Sequence, residues 1–114
     1  GVAVKSGRTV YIAGQVGCNA QGVFESKDFA GQFRQTLANI LAVLAEAGGR
    51  PEHLVRLTWY VLDKQEYLGA LKSVGAAYRE LIGKHYPCMA VVQVIGLVED
   101  AARLEIEATA VIPD

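Results

Sequence analysis

The chain has 114 residues, 52% hydrophobic and 20% charged, with eleven Lys and Arg against twelve Asp and Glu for a net charge of −1. That length fits one domain, residues 1–114, able to bury enough surface to fold without a disulfide or a metal. The balanced charge offers no basic run of the kind that binds nucleic acid, and no apolar run approaches the roughly 20 residues that span a bilayer.

Gly1–Lys5 and Thr9–Ala13 are short β-prone runs flanking Ser6-Gly7-Arg8, and together they predict a hairpin. Gly14, Gly17, Asn19 and Gly22 then mark a loop, with room for a short strand at Val23-Phe24. Ser26 or Asp28 can cap a helix carrying Phe29, Phe33, Leu37, Ile40, Leu41 and Leu44 at helical spacing. Gln32, Arg34, Gln35 and Asn39 fall on its other side, and Gly48-Gly49 ends it. Val55, Leu57, Trp59 and Val61 alternate with Arg56, Thr58 and Tyr60, the signature of a strand with one apolar face. Asp63 opens a second helix with an apolar stripe through Tyr67, Leu68, Leu71, Val74, Tyr78 and Leu81, closed by Gly83 and Pro87. Met89–Ile95 is a nearly uniform apolar run, as expected of a strand covered on both faces. In the last strand Leu104, Ile106, Ala108, Ala110 and Ile112 alternate with Glu105, Glu107 and Thr109.

This order predicts an α+β fold, a two-layer mixed β-sheet of five or six strands with two helices on one face. The other face, carrying Arg56, Thr58, Tyr60, Glu105, Glu107 and Thr109, is left for water or for partner subunits, and the apolar run at Met89 favours partners.

Chemistry is sparse. Cys18 and Cys88 lie far apart, as do His53 and His85, and neither pair has the clustered spacing of a zinc site. No metal and no cofactor is expected. Reduced cysteines fit a reducing compartment, hence an expected cytoplasmic location. Cys88 follows His85 by three residues of apparent loop, which does not make a thiolate pair. No Gly-rich phosphate loop and no G-x-S-x-G turn occurs. Glu105 and Glu107 remain. A carboxylate in a partly dry interface can serve as general acid or base, whereas pairing with Arg56 would make either one structural.

Tyr11-Ile-Ala-Gly-Gln15, Gln35-Thr-Leu-Ala-Asn-Ile40, Ala45-Glu-Ala-Gly-Gly49, Val55-Arg-Leu-Thr-Trp-Tyr-Val-Leu-Asp63 and Leu104-Glu-Ile-Glu-Ala-Thr-Ala-Val111 resemble, in order and spacing, the YjgF/RidA family. The resemblance implies a chorismate mutase-like domain assembled as a homotrimer with a small-molecule ligand site in each of three clefts between subunits. Its best-known members hydrolyse reactive imines and enamines, such as 2-aminoacrylate, to a keto acid and ammonia. In them an arginine grips the substrate carboxylate, a Gly-Gln turn lines the cleft, and a glutamate activates water. Glu105 matches that glutamate and Gly14 that glycine.

The arginine is replaced. The family's Pro-x-Arg-[Ser/Thr] reads Pro87-Cys88-Met89-Ala90 here, and an asparagine of the second helix reads Gly75. Loss of a charge-assisted contact weakens carboxylate binding by about 1.5–3 kcal/mol. The expectation is therefore a divergent imine or enamine deaminase for a less acidic or larger substrate. Glu105 would be catalytic, and Gly14, Cys88, Met89 and Val91 would bind substrate. The alternative is a non-catalytic trimer that binds a small metabolite in the same clefts. The family's older association with RNA cleavage is disfavoured by the near-neutral charge.

Overall fold

A computed structural model describes residues 1–114. Four strands, β1 (Arg8–Gln15), β2 (Leu54–Val61), β3 (Cys88–Gln93) and β4 (Leu104–Ile112), form one mixed sheet in the order β1-β4-β2-β3. β4 is antiparallel to both β1 and β2, and β2 runs parallel to β3. Three helices, α1 (Phe29–Glu46), α2 (Lys64–Gly69) and α3 (Leu71–Leu81), fill the connections between the parallel strands. They cover one face of the sheet, so the fold is two-layer α+β. No helix is long and apolar enough to cross a membrane.

The core follows the sequence periods. Phe29, Phe33, Leu37, Ile40 and Leu44 of α1 are buried against Leu57, Trp59 and Val61 of β2 and Leu104, Ile106, Ala108 and Ala110 of β4. Asp28 supplies the helix cap, its carboxylate accepting from Gly31 N at 2.7 Å. At the other end Gly48 takes a positive φ of 87°. The Gly48 and Gly49 amides donate to Ala45 and Leu44 carbonyls, closing the helix in a reverse turn that glycine adopts without strain.

Four expectations are corrected. The sheet has four strands, because residues 1–7 form none and no N-terminal hairpin exists. Val2 and Val4 stay exposed. Val23-Phe24 is not a strand either: Asn19 Oδ1 accepts from Val23 N at 3.0 Å and Asn19 N donates to Val23 O at 2.8 Å, which uses up the groups a ladder would need. The second helix is two, broken at Ala70, whose φ of −107° and ψ of 6° are not helical. Finally, the apolar run at Met89 is not covered on both faces. β3 is an edge strand ending at Gln93, and Met89 and Val92 are exposed within the chain.

Candidate functional site

Alternation along β4 sends Leu104, Ile106 and Ala108 to the helices and Glu105, Glu107 and Thr109 to the uncovered face. Tyr60, Thr58 and Arg56 of β2 stand opposite these three in register. Tyr60 faces Glu105 across the strands but donates its hydroxyl proton to Glu107, Oη to Oε1, at 2.7 Å. That bond to a carboxylate, with some desolvation and the charges of Glu107 and Glu105, holds the Tyr60 phenol above its usual ionisation range. Glu107 is thus engaged.

Glu105 has no hydrogen-bond or ion-pair partner within the chain. The pairing of β1 with β4 slips between Ile12 and Gln15, and this bulge brings Gly14 beside it. A Cβ on Gly14 would fall on Oε2 of Glu105. The absent side chain is what gives the carboxylate its place.

Two polar residues of α1 fix the segments that meet there. Gln32, 1% exposed, donates through Nε2 to the carbonyls of Ser26 (3.1 Å) and Ala101 (2.9 Å), and its Oε1 accepts from Arg103 N at 2.7 Å. It ties the approach to β4 two residues before Glu105. Asn39 Nδ2 donates to the carbonyls of Val16 (2.9 Å) and Cys18 (2.8 Å), anchoring the chain just after Gly14 and Gln15. Side-chain polarity alone puts both on the polar side of the helix, opposite the Phe29–Leu44 stripe. For Gln32 a signal existed, since it lies three residues after Phe29 and four before Thr36, within the buried stripe.

Beside this pair the uncovered face holds a cavity of about 440 Å³ lined by Tyr11, Ala13, Arg56, Thr58, Glu107 and Thr109. No ion pair joins Arg56 to either glutamate. Cys88 stands on this same face, in register with Arg56. Met89 and Val91 are in register with Leu57 and Trp59 and so point to the helix side. Within one chain, then, Gly14 and Glu105 come together, while Met89 and Val91 lie across the sheet from them. His85 is not a base for Cys88: its Nε2 donates to the Leu54 carbonyl at 2.6 Å.

A two-layer α+β domain with an unpartnered carboxylate over a glycine bulge is the class of protein defined so far. The family model described as Endoribonuclease L-PSP matches residues 1–112. A 2-iminobutanoate/2-iminopropanoate deaminase of Escherichia coli K12 is 31% identical over 111 residues, 95% of this chain and 83% of that protein. Among solved structures, a conserved Rid family protein of unknown function from Yersinia pestis superimposes with a TM-score of 0.83. It has 35% identity, over 94% of this chain and 80% of that one. E. coli TdcF with bound serine gives a TM-score of 0.78 at 30% identity, over 96% and 84%. The chain belongs to the YjgF/RidA family, the endoribonuclease L-PSP family of that model.

Proposed function

We propose that this protein is an imine or enamine deaminase that hydrolyses a reactive imine to a carbonyl product and ammonia, in clefts between the subunits of a homotrimer. The observation that carries the reading is the Glu105 carboxylate, free of partners and set over Gly14. In the proposed assembly the β3 edge of a neighbouring chain, with Cys88, Met89 and Val91, forms the facing wall. The exposed apolar side chains of that edge support such a contact. The deaminase name of the E. coli relative supports the reaction class.

The chemistry asks little of the protein. The imine carbon is already electrophilic. Glu105 takes a proton from water as its oxygen bonds to that carbon, the C=N π pair moves to nitrogen, and Glu105 passes the proton to that nitrogen. Glu105 then takes the proton of the new hydroxyl as its oxygen forms C=O, the C–N pair leaves with nitrogen, and the same proton completes ammonia. Water is the only co-reactant.

The test is ammonia release from 2-iminobutanoate and larger imines generated in situ. Glu105→Gln should slow it by about 10²–10⁴-fold, the usual contribution of a positioned acid–base group. An unchanged rate would remove Glu105 from the mechanism. Ligand-induced thermal stabilisation of the wild type without turnover would instead identify a binding protein.

A further inference from the structure

On the helix side of β3 the structure holds a second hollow, of about 250 Å³. Its walls include Trp59, Tyr67, Tyr78, Tyr86 and Met89, and one charged group borders it, the Arg79 guanidinium. No carboxylate lines it.

The sequence has six arginines. Arg8 donates to the Ala47 carbonyl, and Arg34, Arg50 and Arg103 pair with Glu80, Glu52 and Glu66. Arg56 and Arg79 have no partner, and each borders a cavity. The two cavities differ in sign. Arg56 shares its cavity with Glu107, which would repel an entering anion. Arg79 stands alone in an aromatic hollow, where its charge is unopposed.

Its position depends on Gly75, one turn earlier in α3. Arg79 Nη1 lies 3.3 Å from where a Cβ on Gly75 would stand, so the bare helix surface lets the guanidinium fold back toward the helix start. Trp59, 3% exposed, is the buried floor of this hollow. Aromatic walls and a free guanidinium suit an organic acid whose body is flat or branched and apolar.

We infer that Arg79 holds the substrate carboxylate in this protein, and that the substrate is an α-imino acid with an aromatic or branched apolar side chain seated against Trp59, Tyr86 and Met89. This rests on the inter-chain cleft proposed above, of which Met89 is part. The thioether of Met89 gives the side chain an adaptable apolar contact, and the cation comes from α3 instead of the strand.

Trp59 is the chain's single tryptophan, so its emission reports occupancy of the hollow directly. Phenylacetate, acetate and phenylacetamide serve as probes, titrated into the wild type, Arg79→Gln and Arg79→Lys by fluorescence and calorimetry. Phenylacetate should bind the wild type at least about tenfold more tightly than either acetate or the uncharged amide, as expected for one charge-assisted contact on an apolar body. Arg79→Gln should lose that margin over the amide while binding the amide as before, and Arg79→Lys should recover part of it. Equal phenylacetate affinity in Arg79→Gln and wild type, or no binding by the wild type, overturns the inference. Failure of the catalytic reading shows elsewhere, as unchanged ammonia release in Glu105→Gln, and leaves these affinities as they are.

Discussion

The Glu105 carboxylate occupies the space over Gly14 that any other residue's Cβ would claim. The collision would be with the mobile end of a side chain, and Gly14 does not have a positive φ. Gly14→Ala should therefore fold normally and displace the carboxylate. Its melting temperature should stay within a degree or two of the wild type, as for surface changes generally. Ammonia release should fall about 100-fold, the scale of a misplaced catalytic group. Thermal unfolding and the rate assay on the same sample check both halves, and an undiminished rate would show that the placement of Glu105 is immaterial.

Gln32 connects stability to the same site. Its side chain satisfies Arg103 N and the carbonyls of Ser26 and Ala101, all from one buried amide. Gln32→Leu keeps the bulk and strands those groups, at a cost of about 1–3 kcal/mol. Denaturant unfolding should show that loss, with ammonia release falling as well because the approach to β4 loosens. Stability equal to the wild type would mean that water replaces the amide without penalty.

Much of this was legible in the residues. The stripe of Phe29, Phe33, Leu37, Ile40 and Leu44 and the alternation through Glu105 and Glu107 follow from side-chain period alone, and both are as read. What was not legible depends on partners distant in sequence or on local competition. Asn19 captures the backbone of Val23, a contest that β propensity does not register. Met89–Ile95 is apolar except for Gln93, so alternation could not say which side chains face the helices. Only pairing with Leu57 and Trp59 decides that Met89 and Val91 do. Glu105 stands out, with Glu107, from the strand pattern and Gly14 only from family resemblance, but their contact comes from a bulge that the sequence does not announce.

The Tyr60–Glu107 bond makes a spectroscopic prediction. Because donation to the carboxylate is the leading cause of the raised Tyr60 ionisation, Glu107→Gln should move one phenol's transition to lower pH. The ultraviolet phenolate signal, with Tyr60→Phe to identify the transition, measures it. An unmoved transition would indicate that the hydrogen bond is absent in solution.

Tyr78 predicts alkaline behaviour. Burial, then the neighbouring Tyr86, raises its ionisation from 10.0 to about 12. The folded state therefore resists ionisation longer than the unfolded one. The resulting stability is whole below pH 10 and is lost as pH rises through about 12. Tyr78→Phe forfeits the hydrogen bond to the His85 carbonyl, worth about 1 kcal/mol. It should nevertheless lose less stability than the wild type across that alkaline window. Urea midpoints at a series of pH values test it, and parallel slopes for the two proteins would contradict it.

The central claim is that Glu105 of one chain works against the β3 wall of another. Co-refolding two disabled variants tests it most directly: Glu105→Gln, and Met89→Glu, which places a repelling carboxylate at the facing wall. Native mass spectrometry confirms that mixed trimers have formed. Each variant alone should be nearly inactive, and an equal mixture should recover about a quarter of the wild-type rate, because each mixed trimer contains one intact cleft in three. A mixture of confirmed mixed trimers no more active than its components would contradict a site shared between chains.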